Sequence, residues 1–340
     1  TLAWVRGIPL AVAWRTHNKA TVRQVLDVAG LSRYQPLWNV YHHDTDEYRV
    51  RRTLPQAWSK DTPTFGYPVV MKPLSQSASR GVSIVRNATD VAGAAERARE
   101  YGMDILVEQC LTGSEHSAEM LLDEAGVLWF NVVDRVFRYN RGIPIEEGHV
   151  NPSRLAPSQW GDLREMMRQA AQALGVAWGP FKCDVMWTEH GPKILECTAR
   201  LSGGYDSQGT SLALGLDPTR MLIQLACAMR VDRAGVPSGY AACAAAFPQP
   251  GNVVCSPEDT PGDSERGTVP QNIHDRVKNR PGIYAVHILW QRGAAITPYR
   301  DCAARPAFVI AHGETYPQAW ERAQQAASVL SEGFVTEPLS

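Results

Sequence analysis

Apolar positions along the chain alternate between helical and strand spacing, which predicts a mixed α+β protein. Val22, Val25, Leu26 and Ala29 recur at helical intervals and Gly30 follows as a stop, so a helix is expected over 19–29. Residues 31–60 are aromatic and Arg-rich and show no clean period. An apolar run at 67–72 closed by Pro73 predicts a strand, and the small residues of 75–81 separate it from a second strand at 82–85. Thr89 and Asp90 offer an N-cap for a helix over 91–101. Strands are expected over 105–108, 115–122 and 127–133, the last two joined through a turn at 123–126. An amphipathic helix at 162–174 is ended by Gly175. Strands at 181–187 and 193–198 flank a turn at 188–192, and Asp217-Pro218 opens a helix to about 230. Residues 249–281, with Pro, Gly and mixed charges, predict a long mobile loop. Strands at 282–289 and 307–311 and a helix over about 316–330 complete the chain, and no internal repeat occurs.

The hairpin over 181–198 carries the most informative chemistry. Centred on His190, it sets Asp184 opposite Glu196, Lys182 opposite Thr198 and Met186 opposite Ile194, with all six on one face. Two carboxylates opposed across a ladder repel, and Mg²⁺, which takes one or two carboxylates and completes its shell with water and phosphate, would compensate them. A one-residue slip in register, or solvent exposure of both acids, is the alternative. Cys183 and Cys197 fall opposite each other on the other face and read as small buried hydrophobes rather than a redox pair. Arg200 keeps the parity of Glu196, so its guanidinium would reach the same face if the strand continues; a plain surface Arg is the alternative.

Lys72 closes an apolar strand between Met71 and Pro73, where burial is costly unless the amine faces an anion. The following loop, 75–81, has short side chains that let backbone N–H groups approach a phosphate. It is not a Walker A motif, and a hairpin turn with a snorkelling Lys would read the same way.

Composition narrows the classes. The 340 residues carry 34 Lys+Arg and 35 Asp+Glu, a net charge of −1 that argues against a coat for nucleic acid or an anionic membrane. Only six of the basic residues are lysines, which singles out Lys19 and Lys72. A hydrophobic fraction of 44% and a charged fraction of 20% are ordinary for a globular protein, and the length suits two or three folding units. No apolar run approaches the roughly 20 residues of a membrane span. Seven scattered cysteines without a CxxC pair fit a reducing cytosol, so a cytoplasmic location is expected. The chain opens at Thr1 without Met and is expected to be trimmed or part of a longer polypeptide. His42-His43 with Asp44 and Asp46 reads as a solvated loop rather than a metal cluster, and the ten tryptophans are too dispersed to form a stacking stripe for nucleic acid.

In their order and spacing these pieces resemble an ATP-grasp ligase of the amino-acid/dipeptide, or carboxylate–amine, branch. The resemblance covers about 15–335. It rests on Asn18-Lys19, on Pro68-Val-Val-Met-Lys72-Pro73 with its loop and Arg80-Gly81-Val82, and on Leu106-Val-Glu108-Gln-Cys-Leu111-Thr-Gly-Ser-Glu115-His-Ser-Ala-Glu119. Glu147-Gly-His149 with Pro152, Asp184, and Leu195-Glu196-Cys-Thr198-Ala-Arg200-Leu-Ser-Gly203-Gly204 complete it. It implies an α+β ATP-grasp fold in which two subdomains clasp ATP. The expected division is an N-terminal remnant with a linker helix over 1–59, a lid subdomain over 60–110 and a core subdomain over 111–340. The preceding N-terminal domain usual in the family is largely missing from this reading.

The resemblance also distributes roles. Lys19 and Lys72 would contact the nucleotide phosphates, and Ser75, Ser77, Ser79 and Gly81 would belong to a flexible lid over them. Glu108, Gln109, Cys110 and Leu111 would read adenine, partly through backbone groups, and Glu115 would accept from the ribose hydroxyls. Asp184, Glu196 and Thr198 would hold Mg²⁺, with Mn²⁺ as a substitute; Thr198 stands where the family usually carries Asn. Arg200 would stabilise the transferred phosphoryl group, with His149, Gly203 and Gly204 near the acyl substrate. The implied activity joins a small carboxylic acid to an amine through an acyl-phosphate, releasing ADP and phosphate, in a cytoplasmic and commonly homodimeric enzyme. An ATP-grasp enzyme of other outcome (cyclisation, carboxylation or a kinase-like transfer) and a nucleotide-binding module without turnover are the alternative readings. Retention of Lys72, Asp184, Glu196 and Arg200 favours a working site.

Overall fold

The computed structural model describes residues 5–41, 58–59, 62–63, 66–140, 142–257, 273–290 and 292–339. Helices α1 (Leu10–His17) and α2 (Lys19–Val28) are separated by Asn18, whose extended backbone ends the first and whose side chain caps the second by accepting from the Thr21 N–H. Strand β1 (Trp38–Tyr41) follows, then the two-residue strands β2 (Trp58–Ser59) and β3 (Thr62–Pro63), β4 (Val69–Pro73), β5 (Ser83–Val85), α3 (Val91–Arg99) and β6 (Ile105–Gln109). An antiparallel four-stranded sheet runs in the order β1-β6-β4-β5. Helix α3 lays Ala94 and Ala98 on Val69, Met71 and Val107, so Val70, Lys72 and Glu108, of opposite parity, face the other way.

The rest of the chain contributes β7 (Ser114–Asp123), β8 (Gly126–Asn140), β9 (Ile143–Asn151), α4 (Pro157–Leu174), β10 (Gly179–Thr188), β11 (Gly191–Thr198), α5 (Asp206–Leu214), α6 (Pro218–Ala226) and β12 (Tyr240–Ala245). Then come β13 (Gly251–Cys255), α7 (Ile273–Lys278), β14 (Ile283–Ile288), β15 (Ala295–Ile296), β16 (Ala307–Gly313), α8 (Tyr316–Glu332) and β17 (Val335–Glu337). An eight-stranded sheet runs β11-β10-β7-β8-β9-β12-β16-β14, beside a small β15-β13-β17 sheet. Two helices cover its back. Helix α4 packs Leu163, Met166 and Leu174 on Phe181, Cys183 and Val185, and α8 packs Ala319, Ala323 and Leu330 on Ala242, Ala244 and Val309. Lys182, Asp184 and Met186, at the even positions of β10, are left facing a cavity.

Several elements depart from the sequence expectation. Strand β8 continues seven residues past the expected end at 133 and is followed by β9, which no simple alternation announces. Helix α4 starts at Pro157 rather than 162, and α6 stops at Ala226 rather than near 230. Helices α1 and α5 and the alanine-rich β12 were not expected; β12 has no polar alternation because helices cover it and its sheet neighbours flank it. Residues 38–41 form β1 despite their irregular pattern, and the expected loop at 249–281 contains β13 and α7, with 258–272 outside the described residues. The His42-His43, Asp44 and Asp46 group also lies outside them.

Gly81 ends the small-residue loop with φ +70°, and a Cβ there would fall 2.8 Å from Pro73 Cγ and 2.9 Å from Tyr101 Cδ2. Gly81→Ala is expected to lower stability by at least about 1 kcal/mol from left-handed backbone alone, with the clash added. Urea unfolding of the two proteins checks this.

Candidate active site

The two sheets meet around a cavity of about 400 Å³. The four-stranded sheet lends it Val70, Lys72 and Glu108; β7, β8, β10 and β11 lend Glu115, Arg135, Asp184 and Glu196; Lys19 enters from the start of α2. The loop after β4 closes one side. Lys19 Nζ donates to the Gln76 carbonyl at 2.5 Å, and the Cys302 N–H donates to the Ala78 carbonyl at 2.8 Å.

Asp184 and Glu196 are register partners on one face, as the hairpin argument expects, and so are Lys182 and Thr198. The register then slips. Val185 pairs with Ile194 and Met186 with Lys193, so Leu195 is an unpaired extra residue, a β-bulge. The expected Met186–Ile194 pair is therefore wrong, and Ile194 turns into the α4 core beside Val185. Partners for the Leu195 carbonyl explain the bulge: it accepts from Arg23 Nη2 at 2.8 Å and from Lys72 Nζ at 3.2 Å.

Side chains also offset the repulsion that sequence reasoning assigned to a metal alone. Asp184 Oδ1 lies 2.5 Å from Lys182 Nζ and 3.2 Å from Arg135 Nη1, and Glu196 Oε1 lies 3.6 Å from Lys19 Nζ. Burial alone would raise the Asp184 carboxyl, but Arg135 and Lys182 outweigh it and hold it below the ordinary range. Burial pushes Lys19 down, with Glu196 opposing.

Arg135 ties three acids together, donating to Glu115 at 2.6 Å and Glu146 at 2.9 Å besides facing Asp184. Glu146 is held far below its usual value against the pull of burial, chiefly by Arg135 and Arg305. Glu115 goes the other way, to about 7, because burial and the neighbouring Asp184 and Glu146 outweigh Arg135.

At the far end, His149 Nε2 lies 2.7 Å from Asp206 Oδ1 beside Gly203 and Gly204. Burial opposes the imidazolium, but Asp206 raises His149 above its ordinary value. Glu119 accepts from the Ser202 N–H and thereby fixes the loop that carries the glycine pair; burial and Asp206 push it up to about 7.

The donor set fits a hard divalent cation. Asp184 and Glu196 present carboxylate oxygens from one face, and Thr198 Oγ1 beside them is buried without a hydrogen bond. Among the described residues no three His, Cys, Asp or Glu side chains are grouped to hold a metal by themselves, so further oxygens would have to come from water or a bound phosphate.

An ATP-grasp domain family matches residues 65–208, and an L-amino acid ligase C-terminal domain family matches 267–331. The chain carries an ATP-grasp domain followed by an L-amino acid ligase C-terminal domain. Its fold is that of the L-amino acid ligase from Bacillus licheniformis, with TM-score 0.69 at 20% identity over 92% of this chain and 70% of that one. An uncharacterised protein, y4rH, of Sinorhizobium fredii is 30% identical over 62% of this chain and 41% of its own length. A D-alanine–D-alanine ligase of Trichlorobacter lovleyi is 30% identical over 50% of this chain and 57% of its own. The chain thus spans about half the length of these curated relatives.

Within this ATP-grasp frame, most residues selected from sequence converge. Lys19, Lys72, Ser77, Ser79, Glu108, Gln109, Cys110, Leu111, Glu115, His149, Asp184, Glu196, Arg200, Gly203 and Gly204 line the cavity. Ser75, Gly81 and Thr198 do not; Gly81 serves the packing of its loop on Pro73, and Thr198 is on the expected strand face but set back. Glu108 is committed to Arg23 and Lys72, and the Gln109 and Cys110 N–H groups are donated to the Leu37 and Pro68 carbonyls, which narrows how this strand can meet a base. Arg200 is exposed, and its Nη1 donates to the Leu201 carbonyl. Sequence reasoning missed Arg23, Arg135, Glu146, Asp206 and Arg305 and left Lys182 without a role. Only Lys182 carried a signal, its parity with Asp184; Arg135 lies just past the expected end of its strand, and Arg305 in a segment with no period.

No helix among the described residues is long and apolar enough to cross a membrane.

Proposed function

We propose that this chain is an ATP-dependent ligase that joins a small carboxylic acid, an amino acid by preference, to an amine in the cytoplasm. One observation carries the reading: Asp184 and Glu196 are opposed on one sheet face, in a cavity that also gathers Lys19, Lys72 and Lys182. This is an anion site with two oxygen ligands for a cation, as an Mg²⁺-nucleotide requires. The lid would comprise 60–110 and the core 111–340, and Glu115 would take the ribose.

A carboxylate is a poor electrophile because oxide is a poor leaving group. Its oxygen attacks the γ-phosphorus, the bond to the β-phosphate oxygen breaks, and ADP leaves. The resulting acyl-phosphate is attacked by a neutral amine, and the C–O bond breaks to give an amide and phosphate. Lys19, Lys72 and Lys182 offset phosphate charge, and Arg200 can swing from its exposed position onto the transferred group. Mg²⁺, held by Asp184 and Glu196, would neutralise charge on the phosphate oxygens. His149 and the Gly203-Gly204 turn, fixed by Glu119, border the acid substrate. The loop 75–81 keeps water from the mixed anhydride.

The test is an ADP-release screen with amino acids and small acids, singly and in pairs, with products read by mass. ADP, phosphate and an amide in equal amounts, dependent on Mg²⁺ and on the acid, is the expected result. Formation of AMP and pyrophosphate would point to adenylation and overturn the reading.

A further inference from the structure

Lys72 belongs to a closed ring of buried polar groups. Its Nζ lies 2.6 Å from Glu108 Oε2, while Arg23 Nε donates to the other oxygen, Oε1, at 2.6 Å. Both cations also donate to the bulged Leu195 carbonyl, at 3.2 Å from Lys72 and 2.8 Å from Arg23. Arg23, Lys72 and Glu108 are all buried, and Arg23 heads the largest fully buried side chains of the molecule. The ring joins α2, β4, β6 and β11, the elements that carry Lys19, Lys72, Gln109 and Glu196.

Charge bookkeeping around this ring gives Arg23 a purpose. One carboxylate faces two cations, so the ring keeps a net positive charge in a low-dielectric setting. Lys72 is the cation of the ring that lines the cavity, together with Glu108 and Leu195, whereas Arg23 does not line it. With Arg23 absent, Glu108 would neutralise Lys72 completely, and an incoming phosphate would meet an ion pair instead of a cation. The guanidinium fork suits the task because Nε and Nη2 serve a carboxylate and a carbonyl together.

Taking Lys72 as a phosphate ligand, as in the proposed function, we infer that Arg23 is a positioning residue that keeps Lys72 available to the nucleotide phosphates by taking up half of the Glu108 carboxylate. It acts through Lys72 and does not touch the nucleotide.

The test uses the full chain and inorganic tripolyphosphate with Mg²⁺, a probe that has phosphates but no base, followed by calorimetric titration. R23Q is expected to weaken binding by about tenfold or more, whereas R23K, which keeps the charge but loses the fork, is expected to weaken it clearly less than R23Q does. The double variant R23Q/E108Q removes both charges and is expected to recover binding to within about threefold. A purely structural role for Arg23 predicts the opposite pattern, with R23K as damaged as R23Q and the double variant worse than either. Should R23Q not fold, E108Q alone decides: with its carboxylate gone, Lys72 is unopposed and tripolyphosphate is expected to bind several-fold more tightly. Unchanged binding in R23Q, no recovery in the double variant, or weaker binding in E108Q overturns the inference. Failure of the unsubstituted protein to bind tripolyphosphate or ATP would instead sink the functional reading beneath it.

Discussion

Glu196→Gln is expected to leave the protein folded and to remove Mg²⁺-dependent ADP release, by at least about 10²–10³-fold in kcat. The substitution keeps the shape of the side chain and deletes only its charge. Folding has little to lose, because Glu196 is part-exposed and its ionic contact, to Lys19 at 3.6 Å, is long. The site has much to lose, because Glu196 is one of the two carboxylates that the hairpin brings to one face. Thermal unfolding within a few degrees of the parent, together with a flat ADP trace at saturating ATP, is the expected pair of measurements. Full turnover in this variant would remove the metal role, and with it the main support for ligase chemistry.

Lys182→Met should be almost as severe, with kcat down by about 10²–10³-fold. Lys182 extends into the cavity beside Asp184, so it adds positive charge where phosphoryl oxygens would gather. Burial opposes its charge, but Asp184 and Glu196 outweigh that and Arg135, and Lys182 stays protonated. Its removal does not strand Asp184, since Arg135 remains at 3.2 Å. The stability loss should therefore be smaller than the about 3–5 kcal/mol typical of breaking an isolated buried pair. Chemical denaturation separates this loss from the kinetic one. A variant with near-normal kcat and a large loss of stability would make Lys182 a structural counter-ion to Asp184 only.

These two residues also mark what the sequence could disclose. Their shared face follows from a period of two and a short turn, both local, so Asp184, Glu196 and Lys182 could be placed before any coordinates. The bulge at Leu195 could not. It exists where its carbonyl meets Arg23 and Lys72, which lie 172 and 123 residues away in the chain. Arg135 was hidden for a related reason: the alternation of β8 weakens past 133, and its three acid partners come from β7, β9 and β10. Strand β12, Tyr-Ala-Ala-Cys-Ala-Ala, has neither helical nor strand contrast, because alanines are what the close approach of α8 leaves room for. Patterns set by a neighbour in sequence were legible, and patterns set by a neighbour in space were not.

Strand β10 has no side free to vary. Phe181, Cys183 and Val185 are fixed beneath α4, while Lys182, Asp184 and Met186 border the cavity. A change in side-chain volume on either parity is transmitted through a single layer of backbone to the opposite parity. Divergence toward new acids or amines must therefore draw on the turns around the cavity and on β8 and β9, leaving this strand as the slowest part of the chain to drift.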